Sequence, residues 1–216
     1  MTHNVIAALE IGTSAIRSVV CEIRDDDSIS VLALSEVKSN GIRKGEIFDR
    51  NEVIDSVRLA LKELELNYRK SISSIIISLS GGNTECYFSD AISRIADPNE
   101  NIAQEILIDD ITELSNIAKR VALPSNRVRL HSFNQYFKVD DIDNVINPLG
   151  MSCESLSLKV LTIHGKQSIV ENFQKLVADV PIDYIEAIYS GLSSALAVTT
   201  EAIRKTGVVV IDIGGG

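Results

Sequence analysis

Apolar residues along the chain follow two different periods, and the switches between them lay out its elements. Short or alternating apolar runs over Val5–Leu9, Ala15–Glu22 and Ser28–Val37 predict three strands joined by short turns. The Asp25-Asp26-Asp27 run between the last two suits a solvated hairpin tip. Gly41 and Gly45 then bracket a turn, Gly41-Ile42-Arg43-Lys44-Gly45. From Asn51, a good helix cap, Val53, Ile54, Val57, Leu61 and Leu64 recur at helical spacing. Ser74–Ser80 reads as a short strand ending at Gly81-Gly82. Strands, helix and strand together predict a mixed sheet with one flank covered.

Beyond Gly82 the pattern changes. Glu85–Ile95 predicts a strand, and Asp97–Asn101 is a polar break containing a proline. Asp110–Val121 predicts an amphipathic helix opened by Asp110-x-x-Glu113, with Ile111, Leu114, Ile117, Ala118 and Val121 inward and Pro124 as its stop. Arg127–Val139 and Ser155–His164 predict two more strands, joined through Asn147-Pro148-Leu149-Gly150-Met151. This strand-helix-strand-strand block reads as a compact subdomain inserted into the first one. The parent fold then resumes with a helix over Gln167–Val180, a strand over Ile182–Ile188, a Ser- and Ala-rich helix over Gly191–Arg204, and a final strand over Gly207–Ile213.

Composition narrows the field of functions. With 216 residues, 45% of them hydrophobic and 24% charged, the chain can bury a core of ordinary globular kind. A net charge of −9 argues against nucleic acid as a partner, since phosphate binding needs a basic face. The pairs Arg43-Lys44 and Arg127/Arg129 read as solvated surface. Cys21, Cys86 and Cys153 lack any Cys-x-x-Cys spacing and read as reduced thiols, and His3, His131 and His164 share no metal-ligand spacing.

Candidate chemistry lies at the two ends. Leu9-Glu10-Ile11-Gly12-Thr13-Ser14 and Val210-Ile211-Asp212-Ile213-Gly214-Gly215-Gly216 are each an apolar strand, an acid and a turn of small residues. Such turns let backbone N–H groups approach phosphate oxygens, and the acid can face a nucleotide's Mg²⁺ directly or through water. Two facing turns of this kind would grip a nucleotide from both sides.

With these stretches in place, the chain resembles the amino-terminal half of the FtsA family of bacterial cell-division proteins. The stretches that carry the likeness are Leu9–Thr13, Gly41–Gly45, Ile72–Gly81, Leu130-His131 with Gln135, Asn147–Met151 and Val210–Gly216. The resemblance implies an α/β fold with an actin-like (ribonuclease H-like) first lobe split over residues 1–81 and 166–205. It places the inserted subdomain, of the type called 1C, at 82–165, and the start of an otherwise missing second lobe at 206–216. It implies ATP with Mg as ligand, held by Glu10, Gly12, Thr13 and Ser14 and by Asp212, Gly214, Gly215 and Gly216, with no protein-only metal site. Ala15 stands where many relatives carry a Lys. Ser190 stands where chaperone relatives carry a Glu that assists water attack, so any ATP hydrolysis would be slow and the protein a scaffold, not an enzyme. Expected partners are FtsZ, other divisome proteins and further copies in a filament. The expected location is the cytoplasmic face of the inner membrane, reached through a carboxy-terminal segment absent here. A pilus-assembly scaffold of the PilM type is the alternative. An actin-fold sugar kinase or phosphatase fits less well, because Glu10 and Asp212 are better explained as metal-side acids than as a catalytic base.

Overall fold

The computed structural model describes residues 4–79, 83–96, 102–179, 182 and 184–215. In chain order these form β1 (Asn4–Ile11), β2 (Ala15–Ile23), β3 (Ile29–Lys38), β4 (Ile42–Arg43), β5 (Glu46–Ile47), α1 (Arg50–Tyr68) and β6 (Ser74–Leu79). There follow β7 (Thr84–Arg94), β8 (Gln104–Glu105), α2 (Ile108–Lys119), β9 (Arg127–Val139), β10 (Ile142–Val145), β11 (Ser152–Cys153) and β12 (Ser155–Lys166). Then come α3 (Gln167–Ala178), β13 (Tyr184–Tyr189), α4 (Ser190–Val198) and α5 (Glu201–Thr206). The chain divides into two compact units, Met1–Thr84 with Lys166–Gly216, and Glu85–Gly165. The expected features at Ser80, Gly81-Gly82, Asp97–Asn101, Val180 and Gly216 lie outside the described residues.

In the first unit five strands form one mixed sheet in the order β13-β6-β1-β2-β3. β2 runs antiparallel to both β1 and β3, while β6 pairs parallel with both β1 and β13. Strand periodicity sends Leu9, Ile11, Ile16, Val20, Ile75 and Ile77 to one face, where all are buried. α1 covers that face over β2 and β3 with Val53, Val57, Ala60 and Leu64, and α3 lies beside it. Burial on this scale contributes roughly 1.5–3 kcal/mol per large apolar side chain before chain entropy is counted. The other face carries Glu10, Arg17 and Leu34, with α4 against β6 and β13.

A bulge between Val20 and Cys21 shifts the β2–β3 register, so that Ala33, Ser35 and Val37 face α1 while Leu34 is 62% exposed. α1 begins two residues before its expected start. Its cap is Asp49, whose carboxylate accepts from Asn51 and Glu52 N–H, and this carboxylate outcompetes the Asn51 amide.

Two expected elements near the end differ. The helix expected over 191–204 is broken into α4 and α5, because Thr200 in extended conformation caps the second piece by accepting from Ile203 N–H at 3.3 Å. The strand expected over Gly207–Ile213 does not form. Among the described residues no sheet edge pairs with it, and Val209, Ile211 and Ile213 are 78–89% exposed. A strand is made by its neighbours, and apolar pattern alone does not supply them.

The second unit is a four-stranded sheet, β10-β9-β12-β7, with the small β8–β11 pair beside it. Its core joins Leu156, Leu158 and Val160 of β12 to Ala91, Phe137 and Leu114. α2 starts at Ile108, with Asp110 inside its first turn reaching back to the Leu107 N–H at 2.8 Å, so the acid closes the helix end from within rather than opening it. The block also carries more strands than expected: Asp140 at φ +49 turns β9 back into β10, and its carboxylate accepts from Glu154 and Ser155 N–H. The Asn147–Met151 loop is stitched to Ile106, which donates to the Met151 carbonyl and accepts from Gly150 N–H. The cysteines are free; burial raises the Cys21 and Cys153 thiol pKa, and Cys86 is exposed.

Candidate functional site

The β1–β2 hairpin sets the first wall of a cleft. Its register pairs Ile11 with Ile16, which forces a tight turn through Gly12, Thr13 and Ser14. Gly12 N–H donates to the Ala15 carbonyl at 3.1 Å, and a Cβ at Gly12 would lie 2.8 Å from that oxygen. Glycine is therefore required here by close backbone approach. The Thr13 hydroxyl accepts from Gly45 N–H at 3.0 Å, which ties the β4–β5 turn to this wall.

The far end of the chain supplies the second wall. Asp212, Gly214 and Gly215 lie across from Ser14, and a Cβ on Gly215 would fall 3.0 Å from the Ser14 Cβ. The head of α4, at Ser190 and Gly191, closes the floor and brings the positive end of a helix dipole to the cleft. The enclosed volume is about 510 Å³, within the range of small-molecule sites.

Four charged groups line the cleft: Glu10, Arg17, Lys44 and Asp212. Glu10, Arg17 and Glu36 are direct cross-strand partners on β1, β2 and β3. They form a charged row, with Arg17 to Glu36 at 2.8 Å and Arg17 to Glu10 at 3.2 Å. Glu36 first and Glu10 second hold the Arg17 guanidinium in its charged form, raising its pKa further. The Asp212 carboxylate accepts from the Ser194 hydroxyl at a long 3.5 Å.

The cleft thus brings together Glu10, Gly12, Thr13, Ser14, Asp212, Gly214 and Gly215, while Gly216 lies outside the described residues. Ser190 is buried at the head of α4 beside them. Arg17 and Lys44 are the charged lining residues that sequence reading missed. Arg17 could have been found from the hairpin, since a turn over 12–15 places residue 17 opposite Glu10. Lys44 is exposed, as expected, but it also lines the cleft because Gly45 docks on Thr13, a long-range contact with no local signal. Arg43 does stay outside, stacked 3.9 Å over the Phe48 ring.

Chemically, the arrangement suits an anion that travels with a cation. Hydroxyls of Thr13 and Ser14, glycine backbone and Lys44 offer donors, while Glu10 and Asp212 offer acceptors to a metal's water shell. The close approach of Gly215 to Ser14 leaves a cradle that any larger residue would fill. These residues fit a Mg-bound phosphate chain.

Residues 81–164 match the SHS2 domain inserted in FtsA. Over 214 residues, 99% of the chain, it is 31% identical to the cell division protein FtsA of Buchnera aphidicola from Schizaphis graminum and 30% identical to that of Escherichia coli K12. It spans 50% of the length of each. Among solved structures, a chain of the PilM-PilN type IV pilus biogenesis complex matches with a TM-score of 0.53 at 12% identity, covering 87% of this chain and 48% of that one. That likeness concerns the fold.

Proposed function

The chain is related along its whole length to FtsA cell-division proteins, about half of whose length it spans, and on that premise we propose that it forms the nucleotide-holding first lobe of an actin-like cell-division scaffold. The observation that carries this reading is the meeting of Ser14 and Gly215 across one cleft, since two small-residue turns with acids upstream are what a Mg-nucleotide needs. In this reading residues 82–165 are the 1C-type insertion and residues 206–216 begin the second lobe.

ATP with Mg²⁺ would supply a polyanion whose charge the metal partly neutralises. Thr13 and Ser14 would hold its phosphate oxygens through their hydroxyls, and Gly214 and Gly215 would hold them through backbone N–H. Glu10 and Asp212 would take the metal's water shell. Ser190, which lines the cleft at the head of α4, would be a poor base at neutral pH, so turnover would be slow and occupancy would act as the assembly signal.

The full-length protein in this reading self-associates into filaments when nucleotide is bound. It holds FtsZ and later divisome proteins at the cytoplasmic face of the inner membrane. No helix among the described residues is long and apolar enough to cross a membrane. The match to the FtsA insertion favours division over the pilus alternative. Sedimentation of the full-length protein with and without Mg-ATP tests the proposal. Pelleting that depends on Mg-ATP and is lost in Asp212→Ala is expected, and identical sedimentation in all conditions would overturn it.

A further inference from the structure

The Gly41–Gly45 turn stands out in the sequence, and its role follows if the cleft holds a nucleotide as proposed. The two cations of the cleft are not equivalent. Arg17 answers two carboxylates, Glu10 and Glu36, and so brings no net positive charge. Lys44 lines the cleft and has no ion-pair partner among the described residues.

The Lys44 backbone is the stronger sign. It sits at φ +49 in the two-residue turn between β4 and β5, where Asn or Gly is the comfortable choice. The other described non-glycine residues with positive φ are Asp27, Asn126, Asp140 and Asn144, whose side chains tolerate it, and Arg69, which ends α1. Lys44 alone is neither. A lysine kept where its backbone is strained points to a use for its side chain.

The turn is also held at three points. Gly45 N–H donates to Thr13 Oγ1 at 3.0 Å, the Gly41 carbonyl accepts from Phe48 and Asp49 N–H, and Glu46 accepts from Asn83 Nδ2 at 3.0 Å. Because Thr13 accepts from Gly45, its own O–H remains to donate outward, and each bond polarises the other.

We infer that Lys44 is the residue that reads the phosphate chain of a nucleotide in this cleft, with Thr13 positioning it through Gly45. Binding then depends on phosphate charge at Lys44 and on turn geometry at Thr13. The test is calorimetric titration of the full-length protein with ATP, ADP and adenosine, for wild type, Lys44→Asn, Lys44→Arg, Thr13→Val and Asp212→Ala. Lys44→Asn keeps a residue suited to the turn, so its melting temperature should equal or exceed that of wild type. Its ATP affinity should fall about tenfold, with a shallower salt dependence and unchanged adenosine binding. Lys44→Arg should recover most of the loss, and Thr13→Val should lose ATP affinity as well. ATP binding by Lys44→Asn within about twofold of wild type, while Asp212→Ala weakens it, would overturn the role of Lys44 and leave the cleft standing. Wild type that binds ATP no better than adenosine would instead remove the nucleotide reading itself.

Discussion

Gly215 and Ser14 sit so close that a Cβ on the glycine would lie 3.3 Å from the serine hydroxyl oxygen and 3.4 Å from its backbone nitrogen. Residues 201 positions apart in sequence are thus in van der Waals reach, with no room for a side chain between them. Gly215→Val should push the walls apart and lower Mg-ATP affinity of the full-length protein on the order of tenfold. Gly215 is exposed in this chain, so the thermal stability of the 216-residue chain should change by less than about 0.5 kcal/mol. Equal affinity by titration would show that this approach is incidental.

Asp212 gives a second test. Removing its carboxylate takes away a charge expected to face the metal, so Asp212→Ala should weaken Mg-ATP more than metal-free ATP. Titration with and without chelator separates the two. An equal loss in both would assign Asp212 a structural role only.

A third expectation concerns the buried polar pair under α1. Ser18 and Ser35 hydroxyls lie 2.7 Å apart, and Ser35 donates to the Ala60 carbonyl at 2.8 Å. Ser35→Ala leaves Ser18 without its near partner and should cost about 1 kcal/mol in urea denaturation. No measurable change would mean that α1 docks through apolar contacts alone.

The fourth is a pH effect in the second unit. His164 is 3% exposed, its ring lies 5.5 Å from that of Tyr87, and its Nδ1 has no partner among the described residues. Burial, and then the nearby Arg127 charge, lower its pKa, while Glu85 opposes them more weakly. The unfolded chain therefore binds a proton more readily than the folded one. The contribution to stability is complete above the unfolded value near 6.5 and is lost as pH falls from there toward the lower folded value. Urea midpoints should drop between about pH 7.5 and 5.5, and His164→Phe should flatten that drop. An unaltered slope in the variant would place the pH dependence elsewhere.

How much of this could be read from sequence depended on how local each signal was. The β1–β2 hairpin and the helix bearing Val53, Val57 and Leu64 declare themselves through period and turn chemistry, and they formed within one or two residues of expectation. The small-residue turns were legible as a pair, because each is written in consecutive residues. Segment 207–213 has the apolar pattern of a strand, but that pattern names no partner, and its side chains stay exposed as expected of a strand without sheet neighbours. Lys44 and Arg17 were missed for a related reason. What puts them in the cleft is a tertiary bond from Gly45 and a cross-strand register, neither of which is visible in a window of neighbours.

The charged row across β1, β2 and β3 has a consequence for how the sheet finds its alignment. A one-residue slip would turn the apolar faces inside out, so hydrophobic pattern alone forbids it. A slip by two residues preserves every face and escapes that check. It would set Arg17 opposite Lys38 or Leu34 on one side and Ala8 or Gly12 on the other, in place of Glu36 and Glu10. Glu10, Arg17 and Glu36 thereby mark the native alignment: a slip by two residues in either direction, which greasy side chains would accept, forfeits both ion pairs, each worth up to about 1 kcal/mol at this exposure.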